Sequence, residues 1–344
     1  MSRFTVASLA LGTFLLAASQ PASAQGVLNV GCSNQPEACQ AAGVAFERLS
    51  GIKVNMSVKG SGEMLAQIRA EKENPKLDLW YAGTGDPHLI AAEEGLTAEY
   101  ESLRLADLHV WARDQWVSSK KRSVGIYSGA LGFGANTTIL AGKNLPVPAC
   151  WADLLKPGYK GDVQMANPNA SGTAYTMVAT LVQLMGEDKA FDYMKALHVN
   201  INSYARTGAG PVKATARGEN AVAITFLHDA NTEKNAGFPV VGVAPCEGTG
   251  YEVGSMSIIK GTRNLKSAQA FYDWALTAEA QKLYFEGGKL LQQPSVKTAP
   301  LPPNAPDLSA INLIKYDFAK YGLSSERKRL LERWDREVGA LPRG

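Results

Sequence analysis

An apolar run, Ala221–Phe226, leads straight into Leu227-His228-Asp229, and a single acid, Glu252, follows a short way downstream. A carboxylate only accepts hydrogen bonds. Asp229 and Glu252 could each take two hydroxyl donors from one edge of a polyol, or hold an ammonium group. A second set of residues suits the opposite chemistry. Ser33, Ser61-Gly62, Gly83-Thr84, Ser171-Gly172-Thr173 and Thr207-Gly208 stand in small loops, several of which open helices. Free backbone N–H groups at a helix start favour an anion. The same residue types also serve ordinary capping and turns, so one such loop means little. Their recurrence along the chain is what points to a ligand. Carboxylates repel an anion, so the two sets belong at opposite ends of any shared site.

Catalytic motifs are missing from the sequence. There is no P-loop. Gly60-Ser61-Gly62 lacks the flanks of a nucleophile elbow. Gly248-Thr249-Gly250-Tyr251-Glu252-Val253-Gly254 spaces its glycines wrongly for a dinucleotide loop and runs into a strand. The histidines (His88, His109, His198, His228) have no neighbouring Ser or Cys. No catalytic residue and no cofactor are expected. The cysteines, Cys32, Cys39, Cys150 and Cys246, show no CxxC spacing, which argues against a metal site. An even number in an exported chain reads as disulfides, Cys32–Cys39 closing a local loop and Cys150–Cys246 crossing one domain. Trp80, Tyr81, Tyr175, Tyr204 and Tyr251 are candidates for cation–π contact with an ammonium ligand, or for core packing.

These residues need elements to hold them. Residues 1–24 read as a signal peptide: Arg3, an apolar stretch from Val6 to Ala18, then Ala22-Ser23-Ala24 as cleavage site. Strand and helix signals then alternate. Strands are expected at Val27–Gly31, Ile52–Val58 and Leu77–Ala82. Helices are expected at Glu37–Leu49, capped by Ser33 or Asn34, at Gly62–Glu73 and at Asp86–Glu94. A long strand, Val124–Asn136, leads to a second α/β unit with strands Asp162–Ala166, Val199–Tyr204, Ala221–Phe226, Val240–Ala244 and Ser255–Lys260. One amphipathic helix is expected over Ser267–Phe285 and a charged one over Ser324–Val338. Alternation of this kind implies mostly parallel sheets covered by helices, with ligands beyond the carboxyl ends of the strands. The 344 residues carry a net charge of +3 with no basic cluster. That excludes nucleic acid and implies an anion held by amides and hydroxyls rather than by a basic patch.

Four segments carry a family resemblance: GSGEMLAQIRAEKENPKLDLWYAG, WADLLKPGYKGDVQMANPNASGTAYT, GENAVAITFLHDA and EVGSMSIIKGTRNLKSAQAFYDWALTAEAQ. The chain resembles family-1 extracellular solute-binding proteins of ABC importers, in the branch that binds ferric iron, thiamine, phosphonates and hexose phosphates. The resemblance implies a type II two-lobed α/β fold with a hinge of crossover strands. It places residues 25–127 plus 253–290 in one lobe and 128–252 plus 291–344 in the other. It also implies a monomer in the periplasm that delivers solute to an inner-membrane permease and its ATPase. Iron binders of this branch carry a Tyr-Tyr pair where this chain has Leu227-His228-Asp229. His228, Asp229 and Glu252 match the hexose-phosphate binders, in which such groups bind sugar hydroxyls while Ser, Thr and amides hold phosphate. A hexose phosphate ranks first, an aminoalkylphosphonate second and ferric iron third.

Overall fold

A computed structural model describes residues 26–342. The expected signal peptide lies outside the described residues. Along the chain run β1 (Leu28–Cys32), α1 (Pro36–Ser50), β2 (Val54–Val58), α2 (Ser61–Ala70), β3 (Leu79–Tyr81), α3 (Gly85–Glu93) and α4 (Val110–Ser118). The crossover strand β4 (Val124–Asn136) and the short α5 (Thr137–Gly142) follow. Next come β5 (Val163–Ala166), α6 (Gly172–Met185), α7 (Glu187–His198), β6 (Ile201–Ala205), α8 (Gly210–Arg217), β7 (Val222–Phe226), α9 (Leu227–Asn235) and β8 (Val240–Val243). The chain ends with β9 (Tyr251–Ile258), α10 (Leu265–Ala275), α11 (Ala278–Glu286), β10 (Gln293–Pro294), α12 (Phe318–Tyr321) and α13 (Ser324–Trp334).

The strands order as β2-β1-β3-β9-β4-β7-β5-β6, with β8 and β10 also on β4. The outer strands of each lobe pair in parallel, β2-β1-β3 and β7-β5-β6. β4 and β9 run antiparallel to each other and to their neighbours, because the chain crosses between lobes in opposite directions. Each sheet is therefore mixed, parallel only in its outer part. β4 belongs to both lobes: Val124–Ala130 pairs with β9, and Leu131–Ala135 with β7.

Apolar periodicity makes these elements. Ala38, Ala42 and Phe46 lie buried along one face of α1, which ends at Gly51 with φ 72°, a left-handed stop suited to glycine. The N-cap of α1 is Gln35, not Ser33 or Asn34, although Asn34 Oδ1 accepts from the Gln35 N–H at 2.8 Å. The expected helix over Ser267–Phe285 is two helices. Thr277 takes an extended backbone and its hydroxyl accepts from the Ala280 N–H, starting α11 afresh. β9 starts four residues before the expected Ser255, at Tyr251, because pairing with β4 carries it through Gly254. A Cβ there would collide with the Tyr127 ring, so the strand accepts only glycine at this point.

One core gathers Val30, Phe46, Tyr81, Ile126, Met256, Phe271 and Leu290, and Val296 and Ala299 pack with it. The other gathers Phe133, Trp151, Met165, Tyr175, Phe191 and Ile224, together with Tyr321, Leu330 and Trp334 from the chain end. Disulfides join Cys32 to Cys39 in the first lobe and Cys150 to Cys246 in the second.

Candidate functional site

A cavity of about 270 Å³ lies between the lobes. Ser33, Ser61, Gly83, Thr84, Ser171, Gly172, Thr173, Thr207, Gly208, His228, Asp229 and Glu252 all line it. Gly62 does not. Its N–H donates across the cleft to the Ala170 carbonyl at 3.0 Å, and the Glu63 N–H shares that acceptor at 3.3 Å. The first amides of α2 thus hold the other lobe rather than facing the cavity.

One wall is built from helix starts. Ser61 opens α2, Thr84 is the N-cap of α3, Ser171 the N-cap of α6, and Thr207-Gly208 precede α8. Three glycines let these hydroxyls sit against backbone. A Cβ on Gly83 would overlap Ser61 Oγ, one on Gly172 would overlap Thr84 Oγ1, and one on Gly208 would overlap Thr173 Oγ1. Thr84 Oγ1 is buried without an intramolecular partner, a donor left for something in the cavity. The Ser33 hydroxyl accepts from Trp80 Nε1 at 3.0 Å.

The same cavity carries the acids. His228 and Asp229 sit in the first turn of α9, and Glu252 sits on β9. His228 Nε2 lies 3.7 Å from Asp229 Oδ1 and 3.8 Å from Glu252 Oε1. Burial pushes the imidazole below its ordinary pKa, so these contacts join a neutral ring to two carboxyl groups. His228 Nδ1 has no hydrogen-bond partner, and the ring occupies the space where Gly129 lacks a Cβ. Burial, reinforced by Asp229 and Asp86, pushes Glu252 well above the usual carboxylate range. Asp229 Oδ1 accepts from Gln35 Nε2 at 2.8 Å, and Oδ2 from Thr225 Oγ1 at 3.4 Å.

Other lining residues carry no motif. Gln35, Tyr127, Phe226 and Gln292 complete the cavity, as do Lys59 and Lys213. The two lysines add cationic side chains to the amides and hydroxyls expected there. Lys59 directly precedes the Gly60-Ser61 loop, a legible signal; Lys213 comes from α8 and stands 3.7 Å from Glu37. The proposed cation–π aromatics lie elsewhere. Trp80 stacks on His88, Tyr81 packs against Phe271, Tyr204 meets Trp334 and Tyr251 meets Phe318. Tyr175 lies under the Arg327 guanidinium at 4.3 Å.

Beside the cavity, Asp86 on α3 reaches the other lobe. Tyr316 Oη donates to Asp86 Oδ2 at 3.4 Å, while Oδ1 has no partner. Burial raises the Asp86 pKa to about 7, against the opposing pull of Arg327 and the Tyr316 hydroxyl.

Two α/β lobes that share crossover strands and face each other across a polar cavity define a two-lobed solute-binding protein. The chain belongs to the bacterial extracellular solute-binding protein family, whose model matches residues 74–321. It is similar to an uncharacterised Haemophilus influenzae protein, 44% identical over 98% of this chain and 99% of that one. It is also similar to the periplasmic binding protein AfuA from Actinobacillus pleuropneumoniae, solved with exogenous fructose-6-phosphate. The two are 44% identical, with 92% of this chain and 100% of that chain covered and a TM-score of 0.88. A further solved structure, the periplasmic binding protein P5PA, is 37% identical with 91% and 99% covered and a TM-score of 0.87. Family members are periplasmic solute-binding components of ABC importers rather than enzymes.

Proposed function

We propose that this protein captures a hexose phosphate between its lobes in the periplasm and delivers it to an ABC permease. The observation that carries the reading is one cavity lined by two chemically opposite sets of groups. Ser61, Thr84, Ser171, Thr173 and Thr207 supply donors near helix starts, with Lys59 and Lys213 adding positive charge. His228, Asp229 and Glu252 line the same cavity as a hydroxyl-reading set. Charge-assisted hydrogen bonds contribute about 1.5–3 kcal/mol each, and micromolar affinity needs about 8 kcal/mol, so several such bonds suffice. The fructose-6-phosphate seen in the 44% identical AfuA supports the choice of ligand class.

The same walls would accept an aminoalkylphosphonate, with its ammonium on Asp229 and Glu252. That reading is weaker because the lining aromatics, Tyr127 and Phe226, are not the residues it called for. Ferric iron is weaker still, since Tyr127 is the one tyrosine among the described lining residues and no phenolate pair is formed there. We assign residues 1–24 to a leader peptide, residues up to 127 plus 253–299 to the first lobe and the remainder to the second, and a monomeric state. Calorimetric titration with fructose 6-phosphate, 2-aminoethylphosphonate, ferric citrate and thiamine tests the reading. Fructose 6-phosphate should bind most tightly. Binding of none of the phosphorus-bearing ligands would overturn it.

A further inference from the structure

Gln35 is one of the lining residues that no motif announces. Its side chain is 8% exposed and donates from Nε2 to Asp229 Oδ1 at 2.8 Å, joining α1 of one lobe to α9 of the other. Its backbone is held on several sides. The N–H donates to Asn34 Oδ1, and the carbonyl accepts from Ala38 and Cys39 as the N-cap of α1. The Cys32–Cys39 disulfide closes the loop that contains it. Two residues on, Glu37 faces Lys213 of α8 at 3.7 Å, a second link between the same parts of the two lobes.

We infer that Gln35 is a positioning residue that fixes the Asp229 carboxylate for its ligand and latches the lobes together through it. The donor amide occupies one oxygen of Asp229 and orients the other. A carboxylate held by a neutral amide is offered to solute hydroxyls in one rotamer, with less ordering needed on binding. The amide also makes Asp229 a contact that forms only when the lobes meet, so closure and reading of the hydroxyl edge become one event. This inference rests on the hexose-phosphate reading for its ligand, but the latch itself does not.

The informative variant is Gln35→Glu, compared with Gln35→Ala. Glutamate keeps the shape but sets a carboxylate against Asp229. The other ionisable groups around this contact are His228, Glu252, Glu233, Glu37 and Lys213. Two facing carboxylates repel until they share a proton, and then one again donates to the other. In titrations with fructose 6-phosphate, Gln35→Ala should weaken binding about tenfold at pH 7.5 and Gln35→Glu at least thirtyfold. At pH 5.0, relative to wild type at that pH, the Gln35→Glu loss should shrink below tenfold while the Gln35→Ala loss stays put. Variants within twofold of wild type, or a Gln35→Glu loss unchanged by pH, would overturn the positioning role. Hydrogen exchange of the ligand-free protein tests the latch separately. The amides of Gly62 and Glu63, bonded across the cleft, should exchange faster in Gln35→Glu than in wild type, and equal rates would overturn it. A wild type that ignores fructose 6-phosphate would end the sugar-phosphate reading, with the exchange arm still deciding the latch.

Discussion

Gly172 offers the sharpest test of how this molecule works, because its missing side chain is what lets the lobes meet. It begins α6 in the second lobe, and an added Cβ would overlap Thr84 Oγ1 of the first lobe. Rotating Thr84 gives no relief, since its Cβ and Cγ2 would also lie within 2.9 and 3.0 Å of the new atom. Carbon atoms pack at about 3.5–4.0 Å, so Gly172→Ala must part the lobes by about 1 Å. The bonds that span the cleft start at 3.0 Å for Gly62 to Ala170 and 2.8 Å for Gln35 to Asp229. Stretched by that much, both fall outside hydrogen-bond range. Two lost bonds at about 0.5–1.5 kcal/mol each, with weakened ligand contacts added, amount to about 2–4 kcal/mol. Affinity should fall by about thirtyfold to several hundredfold, at 1.4 kcal/mol per tenfold. In a Thr84→Gly background the obstruction is gone, and Gly172→Ala should then change affinity less than threefold. Calorimetric titration of the four proteins measures this coupling. Gly172→Ala binding within threefold of wild type, or an equal loss in the Thr84→Gly background, would refute the argument from closure.

Three further outcomes follow from the structure. Asp229→Ala should weaken fructose 6-phosphate by about tenfold to a hundredfold, the scale of a charge-assisted hydrogen bond, while inorganic phosphate, measured by the same titration, changes less than threefold. Asp86 binds its proton more tightly folded, at about 7, than unfolded, so stability declines as pH rises from about 4 to 7. Asp86→Asn should flatten that decline: melting curves of variant and wild type should move apart in the variant's favour from pH 4 to pH 8. Loop-closure entropy predicts about 4.7 kcal/mol for the Cys150–Cys246 bridge and about 2.5 kcal/mol for Cys32–Cys39, from separations of 96 and 7 residues. Replacing each pair by alanine and unfolding in urea should preserve that order, while loss of Cys32–Cys39 should weaken ligand binding more.

Much of the strand and helix succession is legible because the apolar spacing of β1, α1 and β2 follows the period of each element. Asp229 and Glu252 are legible too, as acids beside apolar strands. Other features leave less trace. α9 opens directly after Phe226 with no side-chain cap and a polar sequence, so nothing in LHDANTEKN announces a helix. The helix break at Thr277 does carry its own signal, a capping hydroxyl, overridden by the continuous apolar face around it. Gln35, Lys213 and Gln292 become lining residues only through the approach of two lobes, a tertiary event with no local period. The aromatics show the same limit: Tyr175 and Tyr251 have the right chemistry for a cation, and of the two readings open to them it is core packing that the fold selects.

The crossover strands also bear on how the molecule comes into being. β9 stands between β3 and β4, so the first lobe's sheet stays open until residues 251–258 have been made. The second core waits longer, for Tyr321, Leu330 and Trp334. Read in time from the N-terminus, neither half is an early folding unit. A chain released before its last few dozen residues would display apolar surface on the second lobe. The second lobe finishes last, so truncation from the C-terminus should abolish folding of the lobe that contains β7 rather than trim its edge.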